Sequence, residues 1–183
     1  MLPRSPKQSH NLWLWYWLPA VTWLFAVVAF STQTFGAQNT GETLRGILSL
    51  LHLELSEPHF RVLHYLVRKS AHFLAYGTLG AIFFRALRGT DSRRAIWKLR
   101  YAVIALAVCA VTASGDEIHQ ALTPGRTGNW HDVALDLMGA IFFQLLILFL
   151  LSTSWGQARW LRGWGGRTHK SISAATIASI ADR

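Results

Sequence analysis

Long apolar stretches alternate with short polar clusters along this chain. Leu12 to Ser31 is almost uniformly hydrophobic, and residues 8–41 around it hold no Asp, Glu, Lys or Arg. A run of that length can cross a hydrocarbon core of about 30 Å as a helix. Trp13, Trp15, Tyr16 and Trp17 crowd its first turns, as in an interfacial aromatic belt. The run is too long for a signal-peptide core, and no clear small-x-small cleavage site follows, so it is expected to stay as a first membrane helix. Further apolar runs cover about 70–87, 101–122 and 130–151. Their hydrophobicity is continuous rather than alternating, which predicts helices and not barrel strands.

The connection between the first two runs has a different rhythm. Leu44, Ile47, Leu48 and Leu51 fall at i, i+3, i+4 and i+7, with Glu42, Arg45, His52 and Glu54 at polar positions. This predicts a short amphipathic helix lying in the interface, broken at Pro58. Phe60, Leu63 and Val67 then lead into the second span. Thr123-Pro124-Gly125 ends the third span, and Asn129 is placed to cap the fourth, with Asp132 near the positive end of its dipole. The expected fold is therefore all-α: a four-helix transmembrane bundle with an interfacial helix between spans 1 and 2. Residues 1–151 form one transmembrane domain, followed by a basic, Trp-containing tail over 152–183.

Composition agrees with a bilayer as solvent. The chain is 51% hydrophobic and 15% charged, where a soluble domain carries about one-quarter charged residues. Its net charge of +9 does not point to nucleic acid, because the basic residues flank the spans, where anionic headgroups attract them. Thirteen of the eighteen Lys and Arg fall in 1–11, 85–100 and 152–183. The positive-inside rule then puts both termini in the cytoplasm, giving a multi-pass protein of the inner (cytoplasmic) membrane. The single cysteine, Cys109, lies in an apolar run and reads as a small buried hydrophobe.

Polar residues at the outward ends of the spans are the candidate site, since lipid cannot solvate charge. Asp116 lies 16 residues beyond Arg100, so roughly 24 Å along the third helix at 1.5 Å per residue, short of the outer boundary. Lys69, His72 and Tyr76 are spaced i, i+3, i+7. Asp116 and Gln120 are spaced i, i+4, as are Asp132 and Asp136. Stripes that lipid rejects are expected to face one another, forming a polar pocket on the outer side. Gly77 and Gly80, Ser114 and Gly115, and Gly139 and Ala140 are expected to let the helices approach.

Each residue has a chemical and a packing reading. Asp116 and Glu117 suit proton transfer or cation binding, or else ion pairs that lock helices. Lys69 and Arg126 suit an anion, with Arg offering a bidentate fork, or else snorkel to headgroups. His72 reads equally as a proton shuttle and as a packing histidine. Tyr76 reads as an interhelical donor, Asp132 as a binding group or a helix-start charge, and Arg68 as interfacial. His119 and His131 flank the motifs, but there is no HExxH pattern, and no metal is assigned. GxSxG, Walker and dinucleotide motifs are absent. No cofactor is named.

In order and helix placement, Lys69-x-x-His72-Phe73-x-x-Tyr76, Asp116-Glu117-x-x-Gln120, Pro124-Gly125-Arg126, Asp132 and Gly139 resemble the VanZ-like family of small membrane proteins. The likeness covers roughly 65–150. It implies four spans and a role in the cell envelope. At Asp136 the family commonly has Asn, so this chain adds a second carboxylate. The association of the name-giving member with resistance to teicoplanin is not carried over to this chain. The expected function is binding or modification of an anionic lipid, such as a phospholipid or a polyprenyl-phosphate cell-wall intermediate. Asp116, Glu117 and His72 would do the acid/base work, and Lys69, Tyr76, Gln120, Arg126, Asp132 and Asp136 would bind. The alternatives are a non-enzymatic envelope assembly partner whose polar cluster is a structural lock, and a small transporter. The last is disfavoured, because spans 2 to 4 hold no ionisable residue near the midplane.

Overall fold

A computed structural model describes residues 6–32, 36–89, 97–123 and 128–152, with side chains from residue 13 onward. The described residues form five helices and no strand: α1 (Pro6–Phe30), α2 (Ala37–Leu50), α3 (Glu57–Gly89), α4 (Leu99–Ala121) and α5 (Trp130–Ser152). Pro124, Gly125, Arg126, residues 90–96 of the 85–100 loop and the tail beyond Ser152 lie outside the described residues.

Local chemistry sets the helix ends. Asn129 caps α5: its Oδ1 accepts the His131 N–H at 3.2 Å, and its carbonyl accepts the Asp132 N–H at 2.8 Å. Helix α2 ends at Leu50, eight residues before Pro58, not at it. The Leu53 N–H reaches the Leu48 carbonyl at 2.9 Å and the His52 N–H reaches Ser49 at 3.0 Å, a Schellman closure with His52 in the left-handed region at φ 56°. Pro58 instead sits in the first turn of α3, where its missing N–H costs nothing. The expected break and the expected second span thus belong to one continuous 33-residue helix.

Helix α3 is central. It packs most extensively against α5, then α4 and α1, while α4 also packs on α5. Lipid tails are as apolar as leucine, so burying apolar surface does not by itself drive such packing; close approach of small residues does. Gly77, Gly80, Gly139 and Ala140 are buried at these contacts. A Cβ on Gly139 would collide with the Phe73 backbone, and one on Gly77 with the Phe143 ring. Ser114 and Gly115 depart from expectation. Both are exposed, nothing stands near Gly115, and the buried small face of α4 is Ala102, Ala105, Cys109 and Ala113.

Two side chains fasten backbones across helices. Gln144 Nε2 donates to the Gly80 carbonyl at 2.9 Å, and Trp23 Nε1 donates to the Ala75 carbonyl at 3.0 Å. The outward-facing surface is strongly apolar: Trp15, Phe25, Val111 and Phe149 are all more than half exposed. Trp13–Phe30 of α1, α4 and α5 are long and apolar enough to cross a membrane. Helix α3 is long enough, but His72, Tyr76 and Arg85 interrupt its apolar course.

Candidate functional site

The end of α1, the first half of α3, the end of α4 and the start of α5 lie at the same end of the bundle. A cavity of ≈ 270 Å³ opens there. Val27, Phe30 and Ser31 of α1 form one side, and Thr40 of α2 adds to its wall. Arg68, Ala71, His72, Ala75 and Tyr76 of α3 form the floor, and Asp116 and Gln120 of α4 face them. One flank is therefore apolar, and the rest presents a guanidinium, an imidazole, a phenol, a carboxyl and an amide.

The α3 lining repeats at i, i+4, i+8 through Arg68, His72 and Tyr76. Sequence spacing had favoured Lys69 over Arg68 as the start of this stripe. Lys69 instead turns toward α5 and forms an ion pair with Asp132, away from the cavity. Arg68, expected only at the interface, is half-buried in the cavity wall and donates to Thr40 Oγ1 at 3.2 Å. No periodic signal could have found it: at about 100° per residue position 69 lies at least as close to the stripe of 72 and 76 as position 68 does, and the packing of the neighbouring helices decides between them.

Behind the lining stands a supporting layer. Asp136 is 1% exposed, and its Oδ1 lies 3.3 Å from His72 Nδ1. The pair is a charge contact at ion-pair distance, and Asp136 Oδ1 has no hydrogen-bond partner among the described residues. Glu117 is buried and points to α5, where its Oε2 accepts the Asn129 backbone N–H. It thus clips the N-terminus of α5 to α4. Its other oxygen, Oε1, is buried with no hydrogen-bond partner among the described residues. The same holds for the hydroxyl of Tyr76, a residue 2% exposed. A buried polar atom left in this condition costs about 1–3 kcal/mol, so each is a place where a further group would be stabilised.

The expected site residues therefore divide by position. His72, Tyr76, Asp116 and Gln120 share the cavity. Asp136 touches His72 from behind, while Glu117, Lys69 and Asp132 join helices. Arg126 lies outside the described residues. His119 and His131 are exposed, and among the described residues no group of three or more His, Cys, Asp or Glu side chains is placed to hold a metal ion. Cys109 is fully buried, its thiol 3.7 Å from the Tyr76 carbonyl. Gln144, which sequence reasoning did not single out, is buried on the α3–α5 seam.

Outside the spans, α2 is held on the first turns of α3 by polar contacts. Arg45 pairs with Glu57 at 2.9 Å, and its guanidinium lies 3.9 Å over the Phe60 ring. The pairing raises the Arg45 pKa and lowers that of Glu57. Thr40 Oγ1 meets His64 Nε2 at 3.1 Å, and the His64 ring packs under Gly41. Burial, with Arg68 and Arg45 nearby, pushes the His64 imidazole below its ordinary value.

No curated protein and no solved structure matches the chain. A family model described as VanZ/LLP1 matches residues 16–152, from within α1 to the end of α5, and so takes in every helix that builds the cavity. The chain belongs to the VanZ/LLP1 family.

Proposed function

We propose that this membrane protein binds an anionic amphiphile, a phospholipid or a polyprenyl-phosphate intermediate, in a cavity at the outer leaflet of the cytoplasmic membrane. Helix α3 is the fourth span: enclosed by α1, α4 and α5, it crosses with them, its polar residues shielded by protein. At roughly 1.5 Å per residue its 33 residues exceed the hydrocarbon thickness, so its first turns reach the interface. There α2 lies with Ile47, Leu50 and Leu51 toward the acyl chains, all exposed on the protein surface. The bias of Lys and Arg toward the opposite end supports cytoplasmic termini.

The carrying observation is the cavity itself, which sets Arg68, His72 and Tyr76 opposite an apolar flank from α1. Arg68 holds the anionic group, and His72, oriented by Asp136, faces it with Asp116. If the ligand is modified as well as bound, His72 and Asp116 are the groups positioned to move its protons. Mass spectrometry of the purified protein tests the reading. Anionic lipid should co-purify with the wild-type chain and be lost from Arg68→Ala. Equal lipid content in both would end it.

A second reading rests on the contacts of Lys69 with Asp132 and of Glu117 with Asn129. In it the polar cluster is a lock, and the protein is a non-enzymatic partner in envelope assembly. Lys69→Ala and Glu117→Gln should then loosen the fold in detergent, and a stable protein partner should co-purify while no lipid does.

A further inference from the structure

The helices around the cavity do not close evenly. Helix α1 packs on α3, tied by Trp23 to the Ala75 carbonyl, and makes no comparable contact with α4. Yet residues of both α1 and α4 line the cavity. Among the described residues, the space therefore lies between two helices that are joined chiefly through α3. On the polar side Thr40 of α2 contributes to the wall and accepts a hydrogen bond from Arg68. Toward the membrane the rim is apolar. Phe30 lines the cavity while half its surface stays exposed.

Tyr76 lines the space, and its hydroxyl is buried beside it with no partner among the described residues. A buried hydroxyl of this kind is stabilised by an acceptor brought in by an occupant. His72 and Arg68 lie on the same stripe, one and two turns away, and a phosphoryl oxygen suits all three. The volume of ≈ 270 Å³ suits a headgroup, not a whole lipid with its chains.

Resting on the reading above, we infer that the cavity is loaded sideways from the bilayer. A phospholipid passes its headgroup between α1 and α4, its phosphate meets Arg68, His72 and Tyr76, and its acyl chains remain in the α1–α4 seam beside Phe30. The occupant is a lipid of the membrane rather than a free phosphate from the aqueous phase.

The test places a photoreactive benzoylphenylalanine at Phe30, in vesicles of phosphatidylglycerol and phosphatidylethanolamine. A control chain carries it at Val111, 75% exposed on α4 and absent from the cavity lining. Illumination should give a lipid adduct at Phe30 that falls about tenfold in Arg68→Gln and about fivefold in Tyr76→Phe, the loss expected for a charged and a neutral hydrogen bond. The adduct at Val111 should not change. Millimolar glycerol phosphate should leave the Phe30 adduct intact. An adduct at Phe30 indifferent to both substitutions would overturn the seam, as would its displacement by glycerol phosphate. Lipid content by mass spectrometry separates the two levels. Anionic lipid retained by the wild type and lost in Arg68→Ala, beside an indifferent Phe30 adduct, refutes sideways loading alone. No retained lipid at all refutes the binding reading beneath it.

Discussion

Asp136 reaches His72 across the α3–α5 contact, with 3.3 Å between Oδ1 and Nδ1 and the carboxyl almost wholly enclosed. The pair joins the helix that lines the cavity to the helix that backs it. Removing one partner of a buried polar pair leaves the other uncompensated, which costs about 3–5 kcal/mol when both are enclosed. His72 keeps some exposure, so Asp136→Leu should cost less, about 2 kcal/mol. Asp136→Asn keeps the side chain's size and a carbonyl oxygen facing Nδ1 and should cost no more than about 1 kcal/mol. Thermal unfolding in detergent checks the order. Equal stability of the Leu variant and the wild type would show that the contact holds nothing.

Much of this arrangement was readable from the sequence, and its failures share one cause. The starts of α4 and α5, the capping by Asn129, and the pairing of Asp116 with Gln120 on one face followed from spacing alone. Lys69, expected in the pocket, pairs with Asp132, because adjacent helical residues differ by about 100° in direction and a stripe of three residues can be begun at either of two neighbours. Which neighbour is chosen depends on where α5 sits, and that is tertiary information. The same blindness applies to Ser114 and Gly115, whose small size marks a contact only if another helix comes. Asp116 and Glu117 are adjacent in sequence and serve different faces, one lining the cavity and one holding Asn129.

Close approach of α3 and α5 makes Gly139 irreplaceable on steric grounds. An added methyl would meet the Phe73 carbonyl, which belongs to the backbone and cannot swing aside. Gly139→Ala should destabilise by about 1–3 kcal/mol, as overpacking does. Gly115→Ala, with nothing within 4 Å of the new methyl, should be neutral or stabilise by about 0.5–1 kcal/mol by restricting the unfolded chain. Unfolding of the two variants side by side measures this. A harmless Gly139→Ala would mean that α3 and α5 are farther apart.

His52 occupies the left-handed position that closes α2, where glycine carries no Cβ penalty. His52→Gly should therefore stabilise the last turn of α2 by about 1 kcal/mol. Amide hydrogen exchange at Leu51, His52 and Leu53 would slow by about fivefold. Faster exchange would indicate that the imidazole itself holds the turn.

The docking of α2 should depend on pH through His64. Its folded pKa is depressed below the ordinary value of 6.5, first by burial and then by Arg68 and Arg45. The undocked state therefore binds more protons in the window below 6.5, and the docked state loses stability as pH falls through it. Glu57 has a lowered pKa, so its pairing with Arg45 weakens only in a more acid range, below the ordinary 4.5. The two effects are separable. A spin-label pair between α2 and α3 should report partial undocking between pH 6.5 and 5, abolished in His64→Gln. Persistence of the transition in that variant would assign it elsewhere.

Tyr76 sets stability against binding. Its ring belongs to the apolar core, while its buried hydroxyl finds no partner among the described residues. Tyr76→Phe keeps the ring and removes the unsatisfied group, so the lipid-free protein should gain about 1–2 kcal/mol. The same change deletes a donor to the proposed phosphate, so retained anionic lipid should fall. A merely structural tyrosine would not couple these two signs. Delipidated and lipid-loaded samples of both chains, melted in parallel, give the answer. Added phosphatidylglycerol should raise the wild-type midpoint more than that of Tyr76→Phe. Loss of stability in the delipidated variant would mean that the hydroxyl is satisfied within the protein and is not waiting for a ligand.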